Sequence, residues 1–184
     1  MRGLMTPRRG LIVFLTGLPG AGKSTLARAL RKRLAQAGRT VTLLDGDEVR
    51  TLLSSDLGYS RPDRDLNVLR IGYVAAEIAR HGGIAICAQI APYAAARAEV
   101  RRRGSAAGRF LSLYVSTPIE VCERRDPKGH YARARAGILP EFTGVSDPYE
   151  APLDADLSID LQDCAPEAAA EQVVSRLQRE GLLD

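Results

Sequence analysis

The chain has no tryptophan, only three cysteines and two histidines among its 184 residues, and just 5% aromatic side chains. Each shortage excludes a class of protein. Cys87, Cys122 and Cys164 are odd in number, far apart and without histidines at ligand spacing. That argues against a disulfide framework or a zinc site and in favour of three buried thiols. With so few rings and no basic stripe interleaved with aromatics, base stacking on single strands is not expected, so nucleic acid is not an expected partner. Long apolar runs are also missing: Leu11–Leu15 and Ile84–Ala88 are among the longest, against the ~18 residues a membrane helix needs. Arg2, Arg8 and Arg9 precede an apolar stretch shorter than the roughly 7 to 15 residues of a secretory leader, and a glycine loop follows at once. The expectation is a cytoplasmic protein with no membrane span.

What is present is 45% apolar and 26% charged residues, enough to bury the core of one compact domain and too little for two of full size. A net charge of +4 is moderately basic and fits a phosphate-rich small ligand better than a polyanion. After a loose start over residues 1–10, Leu11–Thr16 reads as a strand buried on both faces, as parallel strands are. Lys23–Ala37 then repeats apolar side chains at helical spacing and stops at Gly38. Further strands are predicted at Val41–Leu44, Ile84–Ala88, Phe110–Val115 and Leu157–Ile159. Helices are predicted at Arg64–His81, Pro92–Arg103, Pro118–Arg125 and Ala165–Gly181. The stretch Asp126–Glu150, rich in charge, glycine and proline, reads as a surface loop or lid. Strands alternating with helices imply an α/β architecture of three layers, a mostly parallel five-stranded sheet with helices on both faces and ligands at the carboxyl ends of the strands.

Gly17-Leu-Pro-Gly-Ala-Gly-Lys23-Ser24 is a complete phosphate loop, and it lies between a predicted strand and a predicted helix, where the pattern has mechanical meaning. The backbone amides of Gly17, Gly20, Ala21, Gly22, Lys23, Ser24 and Thr25 can wrap the phosphates of ATP at a helix amino terminus. Lys23 is expected to reach the β- and γ-phosphates and Ser24 to coordinate Mg²⁺. No Asn-Lys-x-Asp segment that reads guanine is visible. The second strand ends in Asp45-Gly-Asp47, two carboxylates at the sheet edge near the loop. One of them either accepts a hydroxyl proton or organises the metal; alternatively, Asp47 only caps the short helix that follows. Arg64, Asn67 and Arg70 are three apart, which suggests one helix side of hydrogen-bond donors toward an anion, or else a solvated face.

Five segments in order carry a closer likeness: Gly-Leu-Pro-Gly-Ala-Gly-Lys-Ser-Thr; Leu-Asp-Gly-Asp-x-x-Arg50; Leu-Gly-Tyr59-Ser-x-x-Asp-Arg64-x-x-Asn67; Arg125-Asp-Pro-Lys128-Gly-x-Tyr131; and Phe142-Thr-Gly-Val-x-x-Pro-Tyr149-Glu-x-Pro. Together, over about residues 11 to 153, they resemble the adenylylsulfate kinase family. The resemblance implies a P-loop fold and transfer of the γ-phosphoryl group of MgATP to the 3′-hydroxyl of adenosine 5′-phosphosulfate. It implies that Asp47, Arg50, Arg64 and Asn67 line the acceptor site, that Tyr59 and Phe142 sandwich the acceptor adenine, that Lys128 belongs to a mobile lid, and that the chain forms a homodimer. Where the family usually has Ser-Pro after the third strand this chain has Ala91-Pro92, and Leu66, Leu69 and Tyr73 stand at positions commonly acidic or arginine. His130 replaces the lid's common leucine. Two other readings fit the same loop, a P-loop kinase acting on another hydroxyl and a nucleotide-binding module without catalysis.

Overall fold

Six side chains from Leu11 to Thr16, none of them charged, require cover on both faces, and β1 (Leu11–Thr16) obtains it as the central strand of a wholly parallel sheet. The computed structural model describes residues 9–183. In it β2 (Val41–Asp45), β3 (Ile84–Ala88), β4 (Arg109–Val115) and β5 (Leu157–Ile159) join β1 in the order β2-β3-β1-β4-β5. Seven helices are described: α1 (Lys23–Gln36), α2 (Gly46–Leu52), α3 (Arg61–Arg80), α4 (Ala94–Ala107), α5 (Ile119–Arg125), α6 (His130–Arg135) and α7 (Pro166–Arg179). Alternation along the strands assigns the layers, because successive side chains point to opposite faces. Leu11, Val13, Leu15, Ile84 and Ile86 pack with Leu26, Leu30 and Leu34 of α1 and with Val173 and Leu177 of α7. Ile12, Phe14, Ala85 and Cys87 pack with Val68, Ile71 and Ala75 of α3 and Val100 of α4. This is the three-layer α/β fold expected.

Local chemistry shifts several boundaries. α3 begins at Arg61 rather than Arg64, because the Ser60 hydroxyl caps it by accepting from the Asp63 amide at 3.4 Å and Pro62 suits the first turn. The stretch from 126 to 150 is not loop throughout, since α6 lies within it. The loose start expected over residues 1–10 lies outside the described residues up to residue 8, and it does not include Gly10, which is buried with its carbonyl accepting from the Arg109 amide at 2.8 Å. Of the three thiols, Cys87 and Cys122 are buried while Cys164, on the loop before α7, is partly exposed. No described helix is long and apolar enough to cross a membrane.

Candidate active site

The carboxyl ends of β1, β2 and β3 open into one cleft of about 970 Å³. The phosphate loop forms its floor. Gly22, with φ 104, turns the chain into α1, and no side chain caps that helix, so its first-turn amides are not claimed by a cap. A Cβ on Gly17 would lie 2.5 Å from the carbonyl of Val115, which only glycine avoids. Ala21 is fully buried and its carbonyl accepts from the Thr117 hydroxyl at 2.9 Å, pinning the loop from below. Gly20, Gly22, Lys23, Ser24 and Thr25 line the cleft, whereas Gly17 and Ala21 shape the loop from behind.

Lys23 is the cleft's unusual cation. Its Nζ donates to the carbonyls of Gly17 at 2.9 Å and Leu18 at 2.7 Å, and the side chain is buried. Burial pushes its ammonium down from 10.5 to about 8, against the pull of Cys122, Asp45 and Asp47. A polyphosphate laid beside it favours the charged form and raises that value again. Nucleotide binding at pH 8 should therefore take up about half a proton, falling to about a tenth at pH 7. Calorimetric titration in buffers of different ionisation enthalpy measures this, and equal uptake at both pH values would contradict it.

Above the floor stand two carboxylates, Asp45 at the end of β2 and Asp47 in the first turn of α2. Asp45, not Asp47, caps α2, its Oδ1 accepting from the Asp47 amide at 3.2 Å; the alternative in which Asp47 is the cap is thereby removed. Asp45 Oδ2 is buried without a hydrogen-bond partner, its nearest cation being Arg28 at 4.0 Å. The Asp47 carboxylate is exposed and paired with Lys128. Lys128 thus reaches across the cleft to the first turn of α2.

α3 does not present the single face of donors that the spacing suggested. Six residues at roughly 100° each leave Arg64 and Arg70 about 120° apart, and Arg70 turns away to chelate Asp56 at 2.6 and 2.9 Å. Asn67 is buried and lines the cleft, its Oδ1 unpaired. Arg64 does not line it. Its guanidinium donates to the Tyr59 carbonyl at 2.6 Å, the Thr143 hydroxyl at 2.9 Å and the Glu141 carbonyl, fastening the segment of Tyr59 to that of Phe142. Arg50, 4.5 Å from the centre of the exposed Tyr59 ring, lines the cleft with it. Phe142 is partly buried, edge-on to Tyr131 at 5.0 Å.

Three features were given no role by the sequence. Gln89 follows β3, borders the cleft and is 4% exposed with neither amide atom bonded; a polar residue ending an otherwise apolar strand was its only signal. Arg125 joins the phosphate loop to the opposite wall, donating to the carbonyls of Ala21 at 3.4 Å and Leu161 at 2.5 Å. That wall, Leu161 to Pro166, carries Cys164 and has no sequence motif. Where a serine was expected after β3, Ala91 adopts the left-handed conformation at φ 45, its methyl buried and its carbonyl taking Thr16 Oγ1 at 3.3 Å and Arg97 Nη1 at 2.8 Å.

Against known proteins, residues 9–160 match the family model described as adenylylsulphate kinase. An adenylyl-sulfate kinase of Myxococcus xanthus is 53% identical over 176 residues, 95% of each chain. A sulfate adenylyltransferase of Neurospora crassa is 44% identical over 96% of this chain, which spans only 31% of that larger protein. Among solved structures, the Mycobacterium tuberculosis APS kinase in complex with AMPPNP and APS superposes with a TM-score of 0.90 at 39% identity, covering 94% of this chain and 99% of the other.

Proposed function

The chain belongs to the adenylylsulphate kinase family, and from that premise we infer that this cleft transfers the γ-phosphoryl group of ATP to the 3′-hydroxyl of adenosine 5′-phosphosulfate. The carrying observation is the meeting, in one cleft, of an uncapped phosphate loop and the acceptor-side group of Asp47, Arg50, Asn67 and Phe142.

The β- and γ-phosphates take the place of the Gly17 and Leu18 carbonyls as partners of Lys23, joined by the first-turn amides of α1. Mg²⁺ fits the residues present: the Ser24 hydroxyl and the buried, unpaired Asp45 Oδ2 both border the cleft and are hard oxygen donors. Bound there, the ion would neutralise charge on the transferring phosphates. In the transfer the acceptor oxygen bonds to the γ-phosphorus as the bond to the β,γ-bridging oxygen breaks. ADP leaves, and the hydroxyl proton passes to Asp47. Lys128 must release Asp47 for this, which frees an ammonium for the phosphates as the lid settles. Tyr59 and Phe142 are the aromatic faces offered to the acceptor's base, and Arg64 acts by holding their two segments together.

ADP formation should require adenosine 5′-phosphosulfate, and equal formation without it would overturn the assignment. Because Ala91 offers no nucleophile, transfer is direct, and a single turnover with labelled γ-phosphate should leave the protein unlabelled. Residues 126–150 should also respond unevenly. Tyr149 is tied to Thr16 at 2.9 Å, Asp147 to Tyr93 at 2.8 Å, and the Glu150 amide to Pro92 at 2.9 Å. Hydrogen exchange should therefore slow on adding ADP with acceptor between 126 and 141, while 147–150 stay protected throughout; ligand-insensitive exchange over 126–141 would mean no closure. A homodimer in the cytoplasm, where ATP is supplied, completes the proposal; Leu66 and Tyr73, exposed two turns apart on α3, give the apolar surface it would cover.

A further inference from the structure

β3 buries five residues in succession and then, at its carboxyl end, a glutamine whose Oε1 and Nε2 both lack a hydrogen-bond partner. Leaving a buried carboxamide unpaired destabilises the chain, so its partner is a group that arrives in the cleft. Its position selects which group. A Cβ on Gly46 would touch Gln89 Cα and Cβ at 3.5 Å, so the side chain starts against the turn that carries Asp47. The wall of Leu161 to Pro166, beyond the phosphate loop and Arg125, forms a different part of the cleft. Asn67, whose Oδ1 is unpaired, is a second such residue on the acceptor side.

The chemistry narrows the ligand further. Sulfate and phosphate oxygens only accept, so they would pair Nε2 and leave Oε1 buried without a donor. A 6-aminopurine presents a donor and an acceptor side by side in one plane, matching both atoms of a carboxamide at once. We propose that Gln89 reads the adenine of the acceptor nucleotide, Oε1 accepting from the 6-amine and Nε2 donating to the neighbouring ring nitrogen while Phe142 offers a stacking face. This rests on the assignment of the cleft to adenosine 5′-phosphosulfate and adds to it the residue that selects the base.

The test uses two acceptors, adenosine 5′-phosphosulfate and its analogue lacking the 6-amine, with MgATP as donor. The wild-type protein should lose about 10- to 100-fold in kcat/KM on the analogue, because Oε1 is then left unpaired. Gln89→Met removes both polar atoms at similar length. It should lose about as much on the natural acceptor and treat the two acceptors alike within about threefold. KM for MgATP should be unchanged, as should the preference for ATP over the triphosphate lacking the 6-amine. Gln89→Asn, which withdraws the amide by one methylene, is the second variant and should show the same loss of discrimination should the methionine variant not fold. Wild-type indifference to the 6-amine, discrimination retained in the variants, or a defect confined to the donor would each overturn the proposal. No turnover of adenosine 5′-phosphosulfate by the wild-type protein would instead overturn the assignment of the cleft.

Discussion

Lys23→Ala lowers kcat by about 10²- to 10³-fold, the loss typical of one preorganised donor aimed at developing charge. The same substitution should also change how the stability of the unliganded chain depends on pH. The folded-state ammonium is held near 8 against 10.5 in the ordinary case, and the cause is burial. Below pH 8 the cost of burying the charge is complete, on the order of 3 kcal/mol. Between 8 and 10.5 the unfolded chain binds more protons than the folded one, so stability rises with pH across that window. Alanine removes that titration, so the rise of the thermal midpoint from pH 8 to pH 10.5 in the wild type should be lost in the variant. An equal rise in both proteins would show that Lys23 is not the group responsible.

Asp47→Asn gives the second large effect, a fall in turnover of about 10²- to 10⁴-fold with ATP affinity held within about threefold. The amide keeps shape and hydrogen bonding but cannot take the acceptor's proton. Stability should hardly move, since the pair with Lys128 is solvent-exposed on both sides and exposed pairs contribute at most about 1 kcal/mol. Near-full activity would assign Asp47 to the first turn of α2 alone.

The parts most legible in the sequence were those where one short segment determines its own geometry. Leu11–Thr16 could only be a buried strand, and the glycines after it have one productive conformation before a helix. α6 was not legible because six residues cannot hold a helix by propensity. It exists because the Asp126 carboxylate accepts from the amides of Tyr131 and Ala132 at 3.1 Å each and the Tyr131 hydroxyl reaches the Pro19 carbonyl at 2.9 Å. Arg64 was singled out as a cleft residue but ties two segments together beside the cleft instead, and the spacing that linked it to Arg70 ignored the turn angle that separates them. Gln89 stayed hidden because its significance lies in the bonds it lacks, and no pattern of residue types encodes an unpaired atom.

The strand order sets the sequence of events when the chain is made. β1, made before the other described strands, pairs with neither its successor β2 nor anything local: Leu11 aligns with Ile84 on one side and Arg109 on the other. Until β3 has emerged, Leu-Ile-Val-Phe-Leu-Thr has no edge to join, and the phosphate loop behind it has no backbone against which to set. The nascent chain therefore carries an unpaired, strongly β-forming apolar hexapeptide until Ile84–Ala88 has been made, the kind of segment that recruits chaperones or seeds association between unfinished copies. Hanging the nucleotide loop on the central strand couples it to a neighbour on each side, so it gains its supporting backbone only once both β3 and β4 have been made.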